Sequence, residues 1–271
     1  MKTAIITISK DNELYLDEWI TYHHDIGFDK IFFLDNNSKN NNSQLNVVKK
    51  YDYCEWIDLR DVCLDGNSSS VGKLQKVFFK KTFDEHKNEF DWFLFIDIDE
   101  FLHTDMPLKE FLSQSCFQGT KEILLNWMCF DDNDLVMYDE RPVQVRFTRP
   151  YSNTTCYSQI FPENEVTKCF VSSTAEIIEH NTHTAKIKNG KIKNALGNEI
   201  QLNWRQTPIL HSNAYIKHYE TKTIEEYINC RIRSKRCTRQ EMLTRIRWFF
   251  NVNKRTEDKM VFINFLMQHF K

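Results

Sequence analysis

Two carboxylates lie two residues apart, directly after the most apolar segment of the sequence. Asp97 and Asp99 follow the apolar run 92–96, so we expect them to project from the carboxyl end of a buried strand. Hard divalent cations such as Mg²⁺ and Mn²⁺ prefer oxygen ligands and often share them with substrate phosphates. The pair therefore predicts a cradle for a metal ion and a diphosphate. The alternative interpretation is a solvated strand end that is acidic by chance.

The segments before this pair begin with a strand, a helix and a second strand. Residues 3–9 and 31–34 are short apolar runs, and between them apolar residues recur at helical spacing until Gly27. This order is typical of a βαβ unit, which builds a parallel sheet. In such sheets ligands bind outside the carboxyl ends of the strands. Polar residues after each strand, such as Asp35, are therefore candidate ligand contacts.

A third strand over 55–59 and a helix over 73–86 complete the first half. For this helix the spacing predicts one face formed by Leu74, Val77, Phe78 and Lys81. The second half is predicted to be mixed, with a strand over 123–128, a β-rich region over 143–203 that starts with the alternating run Val143–Phe147, and an Asn189-Gly190 hairpin signal. Helices are predicted from residue 221, where Thr223 with Glu226 and Thr238 with Glu241 have capping-box spacing.

These elements predict an α/β fold with one catalytic domain and a helical extension. The catalytic domain is expected over 1–216, with halves at 1–105 and 106–216, and the extension over 217–271 is expected to pack on it. The composition, with 41% hydrophobic and 27% charged residues, excludes disordered, collagen-like and coiled-coil proteins. Six glycines in 271 residues include no Gly-rich phosphate-binding loop.

Charge is distributed unevenly along the chain. Residues 217–259 carry 12 Lys/Arg against 6 Asp/Glu, although the whole chain has a net charge of −2. Nucleic-acid binding is disfavoured by this balance and by the lack of regularly interleaved aromatic residues. The segment could instead contact an anionic lipid surface or a phosphorylated lipid-linked acceptor. The basic residues concerned are Arg231, Arg233, Lys235, Arg236 and Arg239.

The chain is predicted to be cytoplasmic, with peripheral contact at the inner membrane face through this basic segment. Its eight cysteines form no CxxC pair, which is typical of reduced thiols. The N-terminal apolar run has about five residues, too short for a signal peptide or a membrane span.

Several segments, in the same order, resemble the GT-A glycosyltransferases of family 92 (DUF23-like) and their family 2 relatives. The resemblance extends over about residues 3–235 and includes seven segments. They are the acidic pair in Asp97–Leu102, Lys10–Glu13 with Leu16, Glu18-Trp19, Tyr22-His23 and Gly27, Asp35-Asn36-x-Ser38, Gln75, Asn126-Trp127-x-x-Phe130, Arg146-Phe147, and Lys217-His218-Tyr219 with Lys222-Thr223 and Glu225-Glu226.

The resemblance implies a GT-A fold, a Rossmann-like nucleotide-binding sheet with a mixed acceptor-side region. It also implies metal-dependent transfer, with inversion, of a sugar from a UDP-linked donor to a saccharide or lipid-linked saccharide, in surface glycan synthesis. Asp97 would contact the ribose or the metal, and Asp99 and His218 would coordinate Mn²⁺ or Mg²⁺. Lys222 would hold the diphosphate. Further nucleotide-sugar contacts are expected from Ser9, Asp11, Asp35, Lys73 and Gln75.

Inverting transfer needs a general base that takes the proton of the acceptor hydroxyl. Where the family often has Phe-Gly-Ser-Ser-Gly, this chain has Phe130-Asp-Asp-Asn-Asp134. Asp131 or Asp132 could therefore serve as the base, and Glu100 is a rival beside the metal carboxylates. Trp127 and His180 are predicted on the acceptor side, with core burial as the alternative for the tryptophan.

Two other functions remain open at this point. A Mg²⁺-dependent phosphohydrolase could also use an acidic pair, but in haloacid-dehalogenase-like enzymes the pair usually follows the first strand, and here it follows the fourth. A non-catalytic nucleotide- or carbohydrate-binding protein would be indicated by loss of either aspartate, and both Asp97 and Asp99 are present.

Overall fold

The computed structural model describes residues 1–36, 38, 43–59, 62, 71–152, 162–233 and 238–253. The strands are β1 (Thr3–Ser9), β2 (Lys30–Asp35), β3 (Cys54–Asp58), β4 (Trp92–Phe95), β5 (Glu100–Thr104), β6 (Thr120–Cys129), β7 (Thr167–Ser172), β8 (Ile177–His180), β9 (Ala185–Ile187), β10 (Lys191–Asn194) and β11 (Ala214–His218). The helices are α1 (Glu13–Asp25), α2 (Ser43–Val48), α3 (Val71–His86), α4 (Leu108–Ser113), α5 (Val143–Arg146), α6 (Ile224–Tyr227) and α7 (Arg239–Val252), and Ile228–Arg233 is a π-helical segment.

Nine of the described strands form one mixed sheet, in the order β3-β2-β1-β4-β7-β6-β11-β5, with β10 paired to β6. The four strands β3, β2, β1 and β4 are parallel to one another, whereas β7 is antiparallel to β4 and to β6. The predicted α/β fold is therefore confirmed, with a Rossmann-like parallel half joined to a mixed half. Every residue of β1 is buried, as expected for a parallel strand covered on both faces.

Helix α3 packs on this sheet with only part of the predicted face, because Leu74 is fully buried but Val77 is not. Val77 is 45% exposed, whereas Phe79 and Phe83 are fully buried. The Phe83 ring packs edge-on against Phe93 of β4, with ring centroids 5.0 Å apart. Apolar residues occur on more than one side of this helix, so spacing alone did not determine which aromatic rings face the sheet.

Two predicted β features of the second half are wrong. Val143–Phe147 is not a strand, because Val143–Arg146 forms a helical turn after Pro142, whose fixed φ suits a helix start. The Asn189-Gly190 turn does not join a hairpin, because β9 pairs with β8 and β10 pairs in parallel with β6. Both capping boxes are confirmed, with Thr223 and Thr238 each accepting the backbone N–H of the glutamate three residues on.

The chain divides into two compact units. The first contains Met1–Trp127 and Glu165–Lys217, and the second contains Met128–Asn164 and His218–Lys271. In the second unit, Arg146 forms a buried bidentate ion pair with Glu226, at 2.7 and 3.0 Å. The predicted domain boundaries at residues 105 and 216 stay predictions, because a division into compact units does not test which residues form the catalytic domain, its halves and the extension. No helix among the described residues has the length and apolar character needed to cross a membrane.

Candidate active site

Asp97 lies just beyond β4 and is held by two side chains from neighbouring elements. Gln75 of α3 donates Nε2 to Asp97 Oδ1 at 2.8 Å, and Lys168 of β7 donates Nζ to Asp97 Oδ2 at 2.6 Å. The side chain of Asp97 is 33% exposed, whereas Lys168 and Gln75 are buried. Asp99 is half-buried in the turn that follows. Asp97 is therefore partly exposed, and hydrogen bonds from two buried side chains fix the orientation of its carboxylate.

Lys168 is a site residue that the sequence did not reveal. Besides Asp97, its Nζ contacts the Thr182 carbonyl oxygen at 2.9 Å and Glu100 Oε2 at 3.3 Å. Burial lowers the pKa of Lys168, but the charges of Asp97 and Glu100 outweigh burial and raise this pKa above its ordinary value. A lysine is rarely fully buried unless it is paired. The signal that the sequence offered is that Lys168 is the single charged residue in the segment 166–173.

Glu100 supports the acidic pair from inside the fold. Its side chain is fully buried, and Oε2 accepts the backbone N–H of Asp97 at 2.8 Å. Burial raises the pKa of Glu100 well above its ordinary value, against the opposing charge of Lys168. A general base must reach the acceptor hydroxyl, so the geometry favours a supporting contact for Glu100. Its predicted role as base stays a prediction.

A second polar cluster, which we call the Ser9–Asp35 cluster, lies at the ends of β1 and β2. Ser9 Oγ donates to Gln44 Oε1 at 2.6 Å, and Gln44 Nε2 donates to Asp35 Oδ1 at 2.8 Å. Ser38 Oγ also donates to Asp35 Oδ1, at 2.5 Å. The structure thus brings the predicted residues Ser9 and Asp35 together, and it adds Gln44, which the sequence analysis missed.

The remaining predicted nucleotide contacts surround these clusters. Asp11 adopts the left-handed conformation, with φ of 52°, and its backbone N–H donates to Ser38 Oγ at 3.3 Å. Lys73 is exposed in the first turn of α3, two residues before Gln75. Their roles in binding a nucleotide stay predictions.

The two clusters lie along one edge of the sheet. Ser9 pairs with Asp35, and Ile6 pairs with Phe95, so Ser9 and the Asp97–Asp99 segment come to the same level at the carboxyl ends of β2, β1 and β4. Adjacent strands are about 4.8 Å apart. Open α/β sheets bind their ligands at this edge. The parallel half therefore carries a polar edge about three strands wide.

Asp131 and Asp132, the predicted bases, belong to the second unit and have different surroundings. Asp131 forms an ion pair with Arg149 and accepts the Asn133 N–H at 2.8 Å. It lines a cavity of about 240 Å³ together with Tyr151 and other residues. Asp132 is fully buried and accepts the Asp134 N–H at 2.9 Å, which is a turn-stabilising contact. Of the two, the geometry favours Asp131 as a group that can meet a ligand.

His218 and Lys222 also lie in the second unit. His218 is buried, with Nδ1 3.7 Å from Cys129 Sγ, and Lys222 adopts a left-handed conformation with φ of 49°. Among the described residues, no group of three or more His, Cys, Asp or Glu side chains is arranged to hold a metal ion. The oxygen donors of Asp97 and Asp99 nonetheless fit Mg²⁺ or Mn²⁺, which usually keeps waters and substrate phosphates among its ligands. The metal stays a prediction.

The two residues predicted on the acceptor side differ in position. Trp127 is buried at the end of β6, and its ring meets His183 edge-on at 5.5 Å. His180 is fully buried between Phe79 and Phe95, with ring centroids at 5.3 and 4.2 Å, and burial lowers its pKa to about 3. The structure thus places His180 in the hydrophobic core, as a neutral histidine.

The parallel half-sheet and its polar carboxyl edge define an α/β fold of the Rossmann-like class. The sequence profile of glycosyltransferase family 92 matches residues 6–269. The chain belongs to this family, and it is therefore a glycosyltransferase. As such it would bind a nucleotide-sugar donor and a saccharide acceptor. No curated protein matches the chain in sequence.

The solved structures to which the chain is distantly similar include the following three. HddC from Yersinia pseudotuberculosis is 11% identical, with a TM-score of 0.41 over 84% of this chain and 97% of the other. A protein described as a glucose-1-phosphate thymidylyltransferase from Bacillus anthracis is 10% identical, with a TM-score of 0.35 over 63% and 72%. A 4-diphosphocytidyl-2C-methyl-D-erythritol synthase from Anaerococcus prevotii is 9% identical, with a TM-score of 0.32 over 64% and 70%.

Proposed function

We propose that the protein transfers a sugar, with inversion, from a UDP-linked donor to a saccharide hydroxyl, with Mn²⁺ or Mg²⁺ held by Asp97 and Asp99. The observation that carries the proposal is the fixed carboxylate of Asp97 at the sheet edge, level with the Ser9–Asp35 cluster. This edge offers hydrogen-bonding groups for a nucleoside on one side and carboxylates for a metal–diphosphate on the other. The metal, when bound, would neutralise charge on the leaving diphosphate.

Within this proposal the protein residues have separate tasks. Gln75 and Lys168 hold Asp97 in one orientation, and Glu100 fixes the backbone of the same residue. Because an ion pair already neutralises much of the Asp97 charge, Asp99 would supply the stronger attraction for a cation. Ser9 and Asp35 would face the nucleoside. Asp131 is proposed as the general base, because it lines a cavity whereas Asp132 is enclosed.

Ligand-induced stabilisation tests the donor site. A ligand that binds only the native state raises its stability, so UDP with Mn²⁺ should raise the melting temperature of the wild-type protein by several degrees. Asp97→Asn and Asp99→Asn should abolish this rise, whereas Asp25→Asn, which changes an exposed carboxylate at the end of α1, should retain it. No rise with UDP in the wild-type protein would refute the proposed donor.

Turnover tests the base and the donor sugar. Release of UDP from UDP-glucose, UDP-galactose and their N-acetyl forms would identify the donor. Asp131→Asn should then lower transfer by about 10²–10⁴-fold while UDP binding is retained, since this is the usual contribution of a general base. Asp132→Asn is the matched comparison and should cost less than Asp131→Asn. Equal rates in both variants and the wild type would exclude both residues as the base.

The pathway and the lipid-linked acceptor rest on the resemblance alone. The side chains of the basic residues Arg231, Arg233, Lys235, Arg236 and Arg239 lie outside the described part of the structure. Contact of this segment with a membrane, and the cytoplasmic location, therefore stay predictions. Sedimentation with vesicles containing one-third phosphatidylglycerol would test the contact, which should weaken as salt is raised.

A further inference from the structure

An exposed tryptophan lies on the other side of Asp97 from the Ser9–Asp35 cluster. Trp204 is 38% exposed, and its ring centroid is 5.7 Å from that of His183. His183 in turn meets Trp127, at 5.5 Å. We call Trp127, His183 and Trp204 the aromatic shelf. A large aromatic surface left in water costs hydrophobic free energy, so its exposure is informative.

Hydrogen bonds anchor Trp204 at this edge of the sheet. The Trp204 carbonyl oxygen accepts from the backbone N–H and the hydroxyl of Thr167, at 3.0 and 3.1 Å. The next residue, Arg205, binds Glu165 Oε2 through two nitrogens at 3.0 and 2.7 Å. The Trp204 backbone is thus anchored to β7, and the side chain of the next residue is anchored to Glu165. A preorganised surface loses little freedom when a ligand binds.

Strand register places the shelf beside the acidic pair. Phe95 of β4 pairs with Cys169 of antiparallel β7, so Asp97 comes level with Thr167, the residue that binds the Trp204 backbone. The side chain of Lys168 also connects Asp97 to the shelf. Its Nζ contacts Asp97 Oδ2 and the carbonyl oxygen of Thr182, which is the residue before His183. Strand β7 is one strand spacing, about 4.8 Å, from β4.

The position of the shelf indicates which ligand it would meet. In the strand order β2-β1-β4-β7, the Ser9–Asp35 cluster lies on one side of Asp97 and the shelf lies on the other. A nucleotide-sugar whose nucleoside occupies the first side and whose diphosphate is at Asp97 directs its reactive end toward β7. The molecule that meets this end is the acceptor. The C–H face of a pyranose is apolar and fits against an indole, which packs apolar surface at low entropic cost.

We propose that the aromatic shelf, with Trp204 as its exposed platform, binds the acceptor saccharide. This inference rests on the proposed function, because it requires a donor at Asp97. It assigns the acceptor contact to Trp204 and not to Trp127 and His180, which are buried. The ring of His183 packs between those of Trp127 and Trp204.

Kinetics with simple acceptors tests the shelf. The probes are the methyl β-glycosides of glucose, galactose and N-acetylglucosamine, used with Mn²⁺ and the best UDP-sugar. Trp204→Ala should raise the KM for the acceptor by about tenfold, the fold-change expected when one aromatic contact is lost. Its rate of donor hydrolysis without acceptor should be unchanged. Trp204→Phe should stay within about threefold of the wild type, since it retains an aromatic face.

A matched control is available two residues away. Leu202 is also 38% exposed, and Leu202→Ala should leave both rates unchanged. Saturation-transfer NMR with the same glycosides and UDP gives a second measurement, in which Trp204→Ala should lose the signal that the wild type and Trp204→Phe show.

Three outcomes would overturn the inference while leaving the donor site intact. They are an unchanged acceptor KM in Trp204→Ala, a loss of UDP binding in that variant, and the absence of both transfer and NMR signal for every glycoside. If Trp204→Ala does not fold, Trp204→Gln takes its place: an acceptor KM raised about tenfold supports the shelf, and an unchanged acceptor KM overturns it. Failure of the proposed function is distinct, because the wild-type protein would then neither bind UDP nor hydrolyse a UDP-sugar.

Discussion

Replacing Glu122 by glutamine is expected to stabilise the protein at neutral pH. Glu122 lies in β6, is fully buried in the first unit, and accepts the Ala185 N–H through Oε1 at 2.7 Å. Burial raises the pKa of its carboxyl from 4.5 to about 8. Glutamine keeps the oxygen that accepts this hydrogen bond but carries no charge in either the folded or the unfolded protein.

The size of the effect follows from proton linkage. Between pH 4.5 and pH 8 the folded protein keeps a proton on Glu122 that the unfolded chain has released, so the stabilising contribution present below pH 4.5 is lost as the pH rises through 8. Each pH unit in this window changes the free energy of unfolding by about 1.4 kcal/mol per proton. Glu122 alone therefore removes about 3 kcal/mol between pH 4.5 and pH 7.

Other buried groups titrate in the opposite sense, so the comparison must be made between variants. His23 and His180 both have a pKa lowered by burial to about 3, and their contribution to stability rises with pH up to about 6.5. Subtracting the wild-type curve from the Glu122→Gln curve cancels this effect.

Urea unfolding from pH 5 to pH 8.5 measures the difference. The advantage of Glu122→Gln should grow from about 1 kcal/mol near pH 5 to about 3 kcal/mol at pH 7. Glu199→Gln is the matched control, because Glu199 is an exposed carboxylate, and its curve should follow the wild type. A difference between Glu122→Gln and the wild type that does not change with pH would refute the reasoning.

Two further substitutions test buried ion pairs. Lys168→Met should lower the free energy of unfolding by about 3 kcal/mol, because it leaves the carboxylates of Asp97 and Glu100 without their cation. Urea denaturation would measure this loss, and the double variant Lys168→Met with Glu100→Gln should recover part of it. Arg146→Met should cost a similar amount in the second unit, because it leaves the buried carboxylate of Glu226 unpaired, and an unchanged urea midpoint would contradict this.

Lys168 also affects how tightly Asp97 can bind a ligand. Its Nζ lies 2.6 Å from Asp97 Oδ2, where it stabilises the ionised carboxylate and limits its rotation. Fixed orientation of a ligand-binding group raises affinity because less freedom is lost on binding. If Lys168 acts in this way, Lys168→Arg should bind UDP with Mn²⁺ more weakly than the wild type, since the planar guanidinium cannot reproduce the contacts of a compact ammonium group.

The sequence by itself determined the features whose signals are local. The apolar runs placed the strands of the parallel half, both capping boxes were correct, and the acidic pair was expected after the strand that carries it. A family resemblance over most of the chain was also visible. These predictions succeeded because a strand, a cap or a motif depends on residues within a few positions of one another.

Only the tertiary structure decided the contacts between distant segments. Lys168 meets Asp97 across 71 residues of sequence, and this pairing follows from the position of β7 beside β4. In the same way, packing on the sheet buries Phe79 and Phe83 of α3. Arg146 is buried because it pairs with Glu226, and Trp204 lies beside Thr167 through a hydrogen bond at the end of β7. Burial and register are properties of the assembled sheet, so no local pattern could specify which of these side chains would be covered and which would remain exposed.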